Sequence, residues 1–127
     1  MTTGNAEHTR RSPKKRVSAS ITAENQFTGA LNATATQAGS GTDGVELYGE
    51  FAVVLSGTWA ATVTVQRSSD SGVTWVDVTT GVNSATAVAM TNNGIRTFYE
   101  PARNILYRVG VKTGNYTSGT AAVAIQQ

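Results

Sequence analysis

The chain has 127 residues, 39% of them hydrophobic and only 14% charged, with 13 glycines and no cysteine. That length suits one domain with a core of its own, and the lack of cysteine excludes disulfides and thiolate metal sites. The net charge of +2 is uneven: residues 1–16 carry five basic side chains against Glu7, while residues 17–127 carry five basic and seven acidic ones, so the basic character belongs to the N-terminal segment.

Residues 1–16 are polar throughout, with Arg10, Arg11, Lys14, Lys15 and Arg16 gathered around Pro13. Nothing here builds a core. The plain reading is a solvated leader; the sharper one is an extended basic arm that lies on an acidic partner, since five cations so close together make a strong local field. No aromatic residue interleaves them, so nucleic acid would be offered only sequence-independent phosphate contacts. No apolar run follows the charges and no stretch nears 18 apolar residues, so neither a signal peptide nor a membrane partner is expected.

Residues 17–23 alternate Val17, Ala19 and Ile21 with Ser18, Ser20 and Thr22, the period of a strand. Residues 24–44 offer only Phe27 and Leu31 as large apolar side chains and end in Gly39-Ser40-Gly41-Thr42-Asp43-Gly44, which predicts a long loop or irregular segment. Residues 45–55 give the clearest strand, with Val45, Leu47, Gly49, Phe51, Val53 and Leu55 on the core face. Gly57 is expected to turn the chain into a hairpin whose arms are residues 57–66 and 73–79. Its turn reads Ser68-x-Asp70-x-Gly72-x-Thr74-Trp75 and resembles the Asp-box of sialidases and many other β proteins. The chemistry suits a turn: Asp70 accepts backbone N–H bonds, Gly72 permits positive φ, and Trp75 packs back over the loop.

Further on, residues 82–91 read as an Ala-rich strand, Asn92-Asn93-Gly94 as a hairpin turn, and residues 95–100 as the partner strand, stopped by Pro101. Strands are expected again from Asn104 to Lys112 and from Ala121 to Gln126, joined by a turn at residues 114–119. Seven or eight short strands and no helical periodicity predict an all-β fold, an antiparallel β-sandwich or jelly-roll-like barrel over residues 17–127.

Catalytic chemistry finds few candidates. His8 is the only histidine and lies in the arm, so a Ser/His/Asp relay or histidine-based zinc site lacks its central member. Glu46 and Glu50 share a strand face, but about 13 Å apart, beyond the roughly 9.5 Å of a glycosidase pair. Asp43 with Glu46 makes at best a weak calcium site. The sequons at Asn32 and Asn115 are short enough to arise by chance. No catalytic residue, cofactor or metal is therefore expected. Tyr48, Arg108 and Tyr116, if exposed, are the side chains best suited to a contact surface.

Two stretches, FAVVLSGTWAATVTVQRSSDSGVTWVDV at residues 51–78 and YRVGVKTGNYTSGTAAVAIQQ at residues 107–127, resemble a small β-sandwich module of tailed-bacteriophage virion proteins, which serve as capsid decoration or cement proteins, head fibres and tail components. The resemblance covers about three-fifths of the chain, leaves residues 1–49 unmatched and implies no catalytic residues. It implies a non-enzymatic structural protein on the capsid surface, with the major capsid protein or another virion protein as partner and a homo-oligomer, by preference a trimer, as the assembled form. The alternative it leaves open is a head-fibre or tail-associated carbohydrate- or receptor-binding adhesin, with Trp59, Tyr48 and Tyr116 as its aromatic platform.

Overall fold

The computed structural model describes residues 16–23, 44–81 and 83–127, and among them there is no helix. Six strands form one antiparallel sheet: β1 Arg16–Ile21, β2 Val45–Glu46, β3 Gly49–Ser68, β4 Val76–Asp77, β5 Gly94–Glu100 and β6 Leu106–Gln126. Its frame is the ribbon of β3 and β6, paired from Ala52 with Gln126 to Ser68 with Leu106. β1 pairs with the C-terminal half of β6 and β2 with its start. On the other side, β5 pairs with the first half of β3 and β4 with its end.

The ribbon is folded back on itself. From residue 51 to residue 67 a straight strand would run roughly 50 Å at about 3.3 Å per residue. Yet the Phe51 ring lies 4.7 Å from that of Tyr107, and Tyr107 is the register partner of Arg67. The Arg67 guanidinium is likewise 2.6 Å from Glu100, whose own partner is Gly49. Both ends of the ribbon therefore meet, and the odd-numbered residues of its two halves, 51–55 and 63–65 on β3 and 107–111 and 121–125 on β6, share one apolar cluster with Ile21, Val45, Leu47 and Ile105. Each fully buried Val, Leu or Ile there contributes about 1.5–3 kcal/mol, which lets a cysteine-free chain hold its shape.

The bend sits beside two glycines, one on each strand and two register positions apart, Gly57 opposite Ala121 and Gly119 opposite Trp59. Gly57 and Gly119 have φ of 101° and 85°, and the pairing register slips between Ala60 and Ala61 and again before Val63. Such bulges add twist and bend a ribbon. A Cβ on Gly57 would lie 2.8 Å from the Thr120 carbonyl oxygen, and one on Gly119 only 2.3 Å from that of Thr58. Asn93 secures the place from outside: its side-chain amide donates to the Gly57 carbonyl at 2.9 Å and accepts from the Trp59 indole N–H at 2.6 Å.

Several expected turns are thus not turns. Gly57 and residues 114–119 lie inside β3 and β6, because positive φ at these glycines bends a paired strand without ending it. The strand expected over residues 82–91 is reduced to single bridges, Thr79 with Ala87 and Val63 with Met90, and β5 pairs with β3 instead. Asn93, engaged with the bend, does not join those two segments as a hairpin. The 45–55 strand breaks at Leu47 and Tyr48, and the second hairpin arm shrinks to Val76–Asp77. Arg16 belongs to β1, opposite Gln126, so the arm as drawn over 1–16 overlaps a strand by one residue. Its other cations, Arg10, Arg11, Lys14 and Lys15, lie outside the described residues, as does the 24–44 loop except Gly44.

Candidate functional site

The Asp-box-like turn leaves β3 at Ser68, whose hydroxyl accepts from the Gly72 N–H at 2.8 Å and donates to Asp70 at 2.8 Å. Asp70 accepts the Thr74 N–H at 2.9 Å, and Gly72 has φ of 88°. The Thr74 N–H, followed by the Ser68 hydroxyl, holds the Asp70 carboxyl below its ordinary range. After Thr74 the chain swings Trp75 inward, fully buried. Its indole N–H has no partner among the described residues.

Trp75 covers the outer face of the sheet, where the even-numbered positions of β3 and β6 would otherwise meet solvent. The Arg108 guanidinium stacks 4.5 Å from its ring, and Arg108 Nε and Nη2 donate to Gln66 Oε1 at 2.9 and 2.6 Å. Gln66 Nε2 donates to Asp77 Oδ1 at 2.9 Å, and Lys112 Nζ to Asp77 Oδ2. Arg108 is thus buried to 1% exposure, which corrects its reading as a surface contact: a guanidinium can be buried when an aromatic face and fixed acceptors replace water. Alternation along β3 assigned Gln66 to the face away from the core, and it is buried as well. Residues 78–81 and 83–90 flank that face, with Val88 N–H bonded to the Val78 carbonyl and Thr64 Oγ1 to that of Val88.

A second polar cluster closes the meeting ends of the ribbon. Glu100, 1% exposed, accepts from Arg67 Nε at 2.6 Å, Arg67 Nη2 at 3.0 Å, the Tyr107 hydroxyl at 2.6 Å and the Ala102 N–H at 2.8 Å. The Arg67 bonds, helped by Tyr107 and Ala102 and opposed by burial, lower the Glu100 carboxyl from 4.5 to about 2. The same contacts raise Arg67, while burial first and the neighbouring carboxylate second raise Tyr107. Arg67, Glu100 and Tyr107 also line a cleft of about 550 Å³ between the turn, β4 and the end of β5, together with Asp70, Thr74 and Tyr99. None of the charged members of this cluster stood out in the sequence. One signal was present: alternation along β5 puts Glu100 on the side of Phe98, a ring that stacks on Phe51.

The other contact candidates lie apart. Tyr48 is 47% exposed, with the Arg103 guanidinium 4.0 Å from its ring, and its carbonyl accepts from the Gln127 side chain at the ribbon's end. Trp59 and Tyr116 stand at the bend, partly buried against the core, with the Tyr116 hydroxyl bonded to the Gly119 carbonyl at 2.6 Å. These three make no single aromatic platform. Among the described residues no three of His, Cys, Asp and Glu come together as a metal site. No family model, curated protein or solved structure matches the chain.

Proposed function

We propose that this protein is a non-enzymatic structural component of a tailed-phage virion, a decoration or cement protein that sits on the capsid surface and bridges capsid subunits. The observation that carries the reading is a coincidence of place. The two stretches that resemble phage virion modules fall on the β3–β4 hairpin and on β6, which are the frame of the sheet. In this reading the folded ribbon is a β-sandwich whose two layers are joined by the continuous β3 and β6. The polar residues at its ends serve rigidity, and the partners are the major capsid protein and two further copies in a trimer.

Its mechanism is adhesive. The cations at Arg10, Arg11, Lys14 and Lys15 precede the first strand of a mildly acidic domain. In this reading they serve an acidic groove on a neighbour, since clustered cations make a strong local field. Many such weak contacts across a lattice act together and raise the cost of opening the shell. Removal of residues 1–15, which stops short of β1, is expected to leave the melting temperature of the free protein within about 2 °C while abolishing attachment to particles. Particles without the protein should then lose their genome at lower temperature and milder osmotic shock. Equal resistance of complete and bare particles overturns the cement role, and full occupancy by the truncated protein overturns the arm as anchor.

A further inference from the structure

The cleft beside the Asp-box-like turn has a chemistry that rigidity alone does not require. Two exposed apolar side chains line it, Tyr99 at 69% exposure from β5 and Val76 at 56% from β4. Between these strands Arg67 presents a guanidinium whose orientation is fixed, because Nε and Nη2 are held by the buried Glu100 carboxylate. The remaining amino group, Nη1, takes no part in the pair with Glu100, and the side chain is 40% exposed. Asp70 uses Oδ1 for the turn and keeps Oδ2 as an acceptor. A fixed donor, a fixed acceptor and an aromatic side chain thus share one concavity, and few convergent polar groups in a partly apolar cleft are what orient a small ligand.

The charges narrow the ligand class. Asp70, Asp77 and Glu100 line the cleft with Arg67, and since Arg67 pairs with Glu100 and Lys112 with Asp77, Asp70 leaves an excess of negative charge that disfavours an anion. A metal cation finds no set of three carboxylate or histidine ligands there, and Arg67 opposes it. A wholly apolar ligand would cover the Asp70 carboxylate without replacing its hydrogen bonds, at a cost. What remains is a neutral ligand with hydroxyls along its edge and a C–H face: hydroxyls donate to Asp70 and accept from Arg67, and the face lies on the tyrosine ring. We propose that this cleft binds a neutral saccharide. The inference is independent of the capsid reading and holds or fails separately from it.

The full-length protein is to be screened on an array of neutral and sialylated glycans, and the best neutral ligand titrated by calorimetry against the native protein and Tyr99→Ala. Neutral glycans should be retained in preference to acidic ones. Because Tyr99 is exposed, its replacement should leave the melting temperature unchanged while weakening binding about fivefold to tenfold, the range for one aromatic contact. Amide chemical-shift changes in the native protein should gather at residues 67–79 and 99–101, a readout that needs no variant. An array with no bound glycan, a preference for sialylated ones, undiminished affinity of Tyr99→Ala, or shift changes centred elsewhere each overturns the proposal.

Discussion

Glu100 shows how one buried charge can close a fold. Its four hydrogen bonds replace the water it gives up, so the ionised form is the stable one in the folded protein. Its folded value of about 2 lies below the ordinary 4.5. The stabilisation is therefore complete above about pH 4.5 and is lost as pH falls toward 2. Urea denaturation from pH 6 to pH 2 should show this loss in the native protein and a flatter profile in Glu100→Gln. At pH 7 that variant should be less stable by about 2–3 kcal/mol, the scale of hydrogen bonds to a charged group. An unchanged acid limb would mean that other carboxylates set it. Arg67 and Glu100 lie 33 positions apart in the chain, and no local pattern announces a partnership made only when the ribbon folds over.

At the level of elements, the β3–β6 ribbon depends on two small side chains. Gly119→Ala would drive a methyl group to 2.3 Å from the Thr58 oxygen and 2.7 Å from the Trp59 Cα, and backbone on both sides has little room to retreat. Gly114 shares the positive φ but has nothing within 4 Å of an added Cβ. Both alanine variants carry the conformational penalty of about 1 kcal/mol, so the excess loss in Gly119→Ala measures the close approach. Thermal melts are expected to place Gly119→Ala well below Gly114→Ala, and equal melting temperatures would remove the bend from the account. The alternation of residues 45–55 identified the core face, with Val45, Leu47, Phe51, Val53 and Leu55 buried, since period two survives any tertiary arrangement, whereas residues 107–111 are buried on both faces. Whether Gly57 ends a strand or bends it was not legible, because either outcome uses the same residue in the same left-handed conformation. The turn from Ser68 to Trp75 was legible for the opposite reason: all its bonds are local.

For the whole molecule, the antiparallel all-β class followed from strand period and turn residues, while the number of strands did not. Joining strands across Gly57 and residues 114–119 turns the expected short pieces into two long ones, and only the other half of the sheet decides that. The consequence reaches back to how the protein is made. β6 lies between β1 and β3 and also receives β2, yet among the described residues it is the last strand in sequence order, and Arg16 must wait for Gln126. While a ribosome still holds residues 106–126, β1 and β2 have no partner and β3 can pair only with β4 and β5, so the ribbon itself waits for β6. Such distant pairing folds slowly and leaves strand edges open to wrong partners. A ribosome-bound chain stalled with residue 110 at the tunnel exit should be as protease-sensitive as an unfolded one, and emergence of residues 111–127 should bring protection in a single step. Protection gained gradually as β3 and β5 emerge would show that the ribbon needs no return strand. In this sheet, the emergence of β6 and the acquisition of shape are one event.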